Sequence, residues 1–310
     1  MKTLVLAIAL CLPACAQFRF FHALSTWKGT NAPYVGPFDS YTATQGLWDI
    51  NVRLLSSYTG NLITVRRSSD SATNSFTYVS ATGKLDTNAI LAWSGASSVY
   101  VTTVYDQSGG GRNFSQSDTT LQPLLINAGT FYAINGEPSM QKTSLGMRLY
   151  ADITGSITNW NLITVGRLTD ATPVAGTLFV VGDNSALVDH TVIGPSAVSA
   201  PDYDFWVYNL GETPALLGTT NSYPYPHTYS VSVNNATTNL VFKADTLATS
   251  TANAAITVSW TKATWLDGIT SLSNAAKWIS GSMAFFTSIP SDQTTIMRYY
   301  TNRFATTYIP

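Results

Sequence analysis

Carboxylates are the scarce reactive groups of this chain. Only 17 of its 310 residues are Asp or Glu, and beyond residue 16 glutamate occurs at Glu137 and Glu212 alone, so each acid is a candidate for acid–base work. Asp106 stands at the end of an apolar run, in Tyr105-Asp-Gln-Ser-Gly-Gly-Gly-Arg-Asn113. An acid followed by Ser and three glycines makes a tight loop whose carboxylate can accept backbone amides. Such a loop serves either as a structural turn or as a direct ligand contact. Glu212, two residues before Pro214, reads on its own as a turn carboxylate, and Asp267-Gly268 reads as a turn. Arg66, Arg67 and Asp70 form either an ion-paired loop or a ligand contact. In Tyr223-Pro-Tyr-Pro-His227 the prolines hold Tyr223 and Tyr225 extended, so the rings can stack on a sugar face or fold back on the protein. His22, His190 and His227 are far apart without ligand spacing, so neither a metal nor a cofactor is expected.

The elements that must position these residues read as strands. Runs rich in β-branched and aromatic residues recur at 61–67, 99–105, 160–167, 177–181, 205–210, 229–233, 240–243, 256–260 and 282–286, separated by Gly, Asn, Asp, Ser and Pro. Many short strands between turn signals predict an all-β sandwich or barrel. In 229–233 the alternation places Tyr229, Val231 and Val233 on one face and the serines on the other, as in a half-buried strand. Two segments carry helical spacing. One is Leu47, Ile50, Leu54, Leu55 and Tyr58, closed by Gly60. The other follows Ser291-Asp292, with Ile296, Tyr300, Phe304 and Tyr308 on one stripe.

Composition narrows the function classes. The net charge is −1 with 11% charged residues, which excludes the basic field that attracts nucleic acid. Ser, Thr, Asn and Gly with 16 Tyr and 8 Trp make a surface suited to neutral, hydroxyl-rich ligands. Residues 1–16 have the layout of a secretory signal peptide, an early lysine, an apolar run and Ala14-Cys-Ala16, so a mature secreted chain is expected to begin at Gln17. Lipidation at Cys15 is the alternative reading. Both cysteines, Cys11 and Cys15, fall in that segment, which leaves no disulfide to residues 17–310. No later run approaches the roughly 20 apolar residues of a transmembrane helix. With no long linker or repeat, 17–310 reads as one domain.

Three stretches, Leu54-Leu-Ser-Ser-Tyr-Thr-Gly60, Val65-Arg-Arg-Ser-Ser-Asp70 and Val101-Thr-Thr-Val-Tyr-Asp-Gln-Ser-Gly109, resemble the catalytic domain of the arabinofuranosidase B family and its laminin-G-like relatives. Gly281-Ser-Met283 and Pro290-Ser-Asp292 are similar to that family's last strand and closing helix. The resemblance implies a concanavalin A-like jelly-roll sandwich with short peripheral helices, including one at the C-terminus. It also implies a retaining glycoside hydrolase that removes α-L-arabinofuranosyl groups from polysaccharide, with a non-catalytic, lectin-like glycan-binding module on the same fold as the alternative. The family's nucleophile lies six residues after a tryptophan and six before a glycine, which places Glu212 between Trp206 and Gly218. The general acid would be Asp267, and Trp206, Asp106, Tyr223 and Tyr225 would contact the substrate. Where the family has an aspartate and two asparagines around the nucleophile, this chain has Leu210, Thr213 and Pro214. The family's adjacent cysteines, which floor its sugar site, fall near Leu178 and Phe179 and are absent from this chain.

Overall fold

The computed structural model describes residues 33–41, 44–157, 159–169, 178–182, 190–193, 204–207, 215–218, 225–234, 239–245, 248–253, 258–266 and 277–304. The predicted signal segment, Glu212, Tyr223 and Asp267 lie outside the described residues.

From Val35 onward the chain folds into two antiparallel sheets. The front sheet runs, in spatial order, through Thr73–Phe76, Ile63–Arg67, Val99–Val104, Phe114–Ser115, Leu149–Ile157, Val258–Trp265, Phe179–Gly182 and His190–Ile193. The back sheet runs through Thr44–Asp49, Ser282–Phe286, Asn159–Leu168, Pro226–Asn234, Asn239–Ala244 and Ala248–Asn253. Leu124–Asn127, Met140–Gln141 and Trp278–Ser280 link the two along one side, so hydrogen bonding continues from sheet to sheet. This is a sandwich, one of the two architectures that the strand pattern predicts, and of the jelly-roll kind that the resemblance implies.

Alternation explains which side chains fill the interior. From the front sheet Val65, Val101, Leu149, Ala151, Ala263 and Trp265 point inward; from the back sheet Trp48, Trp160, Leu162, Tyr229, Val231 and Phe285 meet them. Phe114 sits edge-on to Trp48 at 4.9 Å and to Trp265 at 5.5 Å, which ties the shortest front strand to both layers. Each such ring contributes about 1.5–3 kcal/mol by burial.

The back sheet is covered on its outer face as well, by the helix Gln293–Phe304. Ile296, Met297, Tyr300 and Phe304 pack on Leu47, Ile163, Val165, Ala284 and Phe286, which is the stripe expected from the sequence; Tyr308 falls outside the described residues. The helix begins where the Asp292 carbonyl accepts the Thr295 and Ile296 amides. The Asp292 carboxylate takes the Tyr41 hydroxyl. Burial and this bond raise the Tyr41 pKa to about 12. A raised phenol pKa stabilises the fold fully below about pH 10, the unfolded value, and that stability is lost as pH rises through the folded one. Denaturant midpoints between pH 9 and 12 should therefore fall more steeply for the natural protein than for Tyr41→Phe; parallel curves would show that the bond is not formed.

Two expectations require correction. The strand around Tyr229 is buried on both faces, because its serines are met by polar groups rather than water. Asn161 Nδ2 donates to Ser230 Oγ and Ser232 Oγ at 2.9 Å each, and Gln293 Nε2 from the helix reaches the same hydroxyls at 2.8 and 2.6 Å. Residues 47–58 form no helix. Thr44–Asp49 pairs with Ser282–Phe286, and Leu47, Ile50 and Leu54 are all fully buried, Ile50 between the sheets and the two leucines under the helix. Apolar residues buried on both faces mimic helical spacing. A helix forms instead at Thr87–Ser94, where Asp86 caps the Ala89 amide and Gly95 closes the turn at φ 56°.

Candidate functional site

The Asp106 loop is a clamp between elements. Its carboxylate accepts the amides of Leu47 (3.1 Å), Ser108 (2.9 Å) and Arg112 (3.1 Å), and the residue is 5% exposed. Gln107 next to it accepts the Leu54 amide at 2.7 Å and donates to the Val52 carbonyl at 3.0 Å. Gly109 and Gly111 take positive φ, 85° and 71°, which the reversal of the chain requires. The loop thus holds Thr44–Asp49 and the segment after it in place, and the Asp106 carboxylate is filled by backbone donors. Arg66 and Arg67 are similarly engaged. Arg67 forks onto Asp70 at 3.1 and 2.6 Å, which holds that carboxyl down to about 2, and it lies over Trp93. Arg66 reaches Gln122 at 2.7 Å. His227 is buried with Nδ1 2.8 Å from Asp245, whose other oxygen accepts the Thr228 amide. Tyr225 is 43% exposed and open to a ligand.

The residues assigned to catalysis by resemblance lie outside the described residues, and what is described is the strands next to them in sequence. Trp206 lies on Asp204–Val207, which pairs with Ala215–Gly218, and Glu212 belongs to the connection between these strands. Asp267 follows Val258–Trp265. At the end of that strand Leu266 is fully buried at φ 75°, and its amide donates to the Leu178 carbonyl at 2.8 Å. A leucine in the left-handed region costs on the order of 1–3 kcal/mol, and such strain concentrates at functional sites. Phe179 pairs with Trp265 one step away. Leu178 and Phe179, which stand where the resemblance puts the sugar floor, are therefore hydrogen-bonded neighbours of the residues that lead into Asp267. The other glutamate, Glu137, is engaged elsewhere, accepting Lys84 at 3.0 Å and Arg303 at 3.2 Å.

No residue pattern in the sequence by itself points to an outward cleft of about 470 Å³ on the front sheet, lined by Thr103, Ser115, Gln116, Tyr150, Asp152 and Lys262 among others. A partial signal is present in Leu149-Tyr-Ala-Asp-Ile153, where Leu149, Ala151 and Ile153 are buried and alternation sends Tyr150 and Asp152 to the opposite face. Among the described residues no group of three or more His, Cys, Asp or Glu is placed to hold a metal. None of their helices is long and apolar enough to cross a membrane.

Residues 42–134 match the family model described as "Alpha-L-arabinofuranosidase B, catalytic". No curated protein matches the chain. Among solved structures it is similar to an arabinofuranosidase complexed with arabinofuranosyl-α-1,2-xylobiose, at 18% identity and TM-score 0.68, over 89% of this chain and 66% of that one. It is similar to the same extent to a mutant GH54 α-L-arabinofuranosidase soaked with 4-nitrophenyl α-L-arabinofuranoside. A GH54 α-L-arabinofuranosidase soaked with a cyclic sulfate inhibitor matches at 17% identity and TM-score 0.66. This chain spans just under two thirds of the length of those proteins. The matched segment contains the Asp106 clamp and both arginines, so the resemblance first read from those motifs holds: the chain carries the arabinofuranosidase B catalytic-domain signature over 42–134 and the fold of GH54 arabinofuranosidases over most of its length.

Proposed function

We propose that the chain is a secreted, retaining α-L-arabinofuranosidase-like glycoside hydrolase that removes arabinose side chains from polysaccharide. The observation that carries the reading is the Leu266–Leu178 hydrogen bond beside the Trp265–Phe179 pair. It draws together two segments far apart in sequence that the resemblance assigns to the general acid and to the sugar floor. In a retaining mechanism one carboxylate attacks the anomeric carbon while a second carboxyl group, about 5–5.5 Å away, gives its proton to the departing oxygen. Glu212 fills the first role and Asp267 the second. Water then attacks the glycosyl-enzyme, with Asp267 taking the proton back.

A second reading is favoured by the substitutions around Glu212. Leu210, Thr213 and Pro214 cannot all supply the side-chain hydrogen bonds of the aspartate and asparagines they replace, so the chain would bind arabinose-bearing glycan without cleaving it. Fold alone does not choose between the two. The purified protein with 4-nitrophenyl α-L-arabinofuranoside does: p-nitrophenol release supports the hydrolase, whereas retained binding to arabinoxylan with no release supports the binding module. Export is checked by the N-terminus of the protein recovered outside the cell, expected at Gln17.

A further inference from the structure

The outward cleft of the front sheet has a construction that the sandwich itself does not need. Phe114 points into the core, so Asn113 and Ser115 face outward on either side of it. Across the sheet Ser115 is paired with Thr103 on one side and with Tyr150 on the other, and Tyr150 with Thr264. Thr264 is fully buried, whereas Thr102, Thr103, Ser115 and Ser117 line the cleft with short hydroxyl side chains beside Tyr150 and Lys262. Two irregularities adjoin that lining. On one strand Thr102 is the extra residue between Val101 and Thr103, which face Val65 and Thr64. On the other, Ile153 and Thr154 together oppose Thr261, next to the Asp152–Lys262 pair. Bulges re-aim side chains and accumulate beside binding sites; here the first places Thr102 and Thr103 in the lining, and the second begins directly after Asp152, which also lines it.

The lining is polar and balanced in charge, with Asp152 and Lys262 as its two ionic groups. The Arg148 guanidinium lies 5.0 Å and the Lys262 ammonium 5.9 Å from the Tyr150 ring centre, which fixes that ring in the wall. The Asp106 amide donates to Asn113 Oδ1 at 2.9 Å, which orients the Asn113 NH2 group as a fixed donor. A volume of about 470 Å³ falls within the ordinary range of small-ligand sites, about 300–1,000 Å³.

We propose that this cleft is a separate binding site for a short stretch of neutral oligosaccharide. Hydroxyl and amide groups with one ionic group of each sign match a ligand rich in hydroxyls and without net charge. The proposal rests on the reading of the chain as a handler of arabinose-bearing polysaccharide, and it places an unbranched backbone segment here. Lys262 stands three residues before Trp265, about 10 Å along the strand from its end, so the cleft lies apart from that end of the strand.

The test uses xylotetraose titrated calorimetrically into the full chain, beside Asp152→Ala and Lys262→Ala, with unfolding temperatures recorded for all three. Saturable binding that weakens at least about fivefold in each variant, with unchanged unfolding temperature, is the expected result. Absence of saturable binding by the natural protein, or equal affinity in both variants, overturns the proposal. So does tighter binding of a tetramer of galacturonic acid, because Asp152 should repel it. Glu212→Gln should leave xylotetraose affinity unchanged, so loss of hydrolysis and loss of this site are read separately.

Discussion

Arg303→Met should lower the unfolding free energy by about 3–5 kcal/mol, the cost of breaking a buried ion pair by removing one partner. Arg303 sits in the last turn of the C-terminal helix. Its Nη1 and Nη2 meet the two oxygens of Asp49 at 2.5 and 3.0 Å, and its Nε reaches Glu137 at 3.2 Å. Burial alone works against the charge, yet the Asp49 carboxylate keeps the guanidinium well above the ordinary arginine range. Asp49 is fully buried and also accepts the amides of Asn51 (2.7 Å) and Val52 (2.9 Å), so it joins the first strand, the following turn and the helix. Methionine would leave that carboxylate facing apolar side chains. For a domain of this size the loss corresponds to a drop of about 10 °C in unfolding temperature. Arg303→Lys should recover little, because an ammonium cannot fork across both oxygens. Adding Asp49→Asn to Arg303→Met should cost much less than the sum of the single changes. Additive losses in that cycle would mean that the pair is not coupled and that the helix is held by its apolar stripe alone.

The stripe itself was legible because one face of the helix is apolar and the other is not. The nine expected strands were legible for the related reason that turn residues bracket them, and each appears within a few residues of its expected place. In Asn159–Leu168 and Pro226–Asn234 both faces are buried, one in the core and one under the helix. Alternation then reports only which cover each face meets, and the serines of 230 and 232 look solvent-facing when they are satisfied by Asn161 and Gln293. Residues 47–54 fail for the same reason. The helix at Thr87–Ser94 carried its signals openly, Asp86 before it and Gly95 after it, around a short apolar centre. Glu212 becomes a candidate through scarcity, since beyond residue 16 the sequence holds two glutamates. The cleft was not legible, because it depends on two bulges and on a row of side chains from strands far apart in sequence. The motif that most exposed the family, around Asp106, serves the fold: its carboxylate is spent on three backbone amides.

Glu212→Gln should reduce turnover of 4-nitrophenyl α-L-arabinofuranoside by about a thousandfold or more, roughly 4 kcal/mol of transition-state stabilisation. In the proposed mechanism the glutamate oxygen forms the bond to the anomeric carbon as the bond to the leaving oxygen breaks, and an amide cannot take that part. Nor can another glutamate stand in. Beyond residue 16 the remaining one is Glu137, whose carboxylate is held between Lys84 and Arg303. Glu137→Gln therefore separates the two roles. It should weaken the helix anchor and lower the unfolding temperature, yet leave kcat of the folded protein within about twofold. Asp267→Asn should have a smaller effect than Glu212→Gln on this substrate, since p-nitrophenolate leaves without help from an acid, and a larger one on arabinoxylan, whose alkoxide must be protonated. Turnover by Glu212→Gln within tenfold of the natural protein would place the nucleophile on an aspartate and remove the basis for aligning Trp206 and Gly218 with the family's motif.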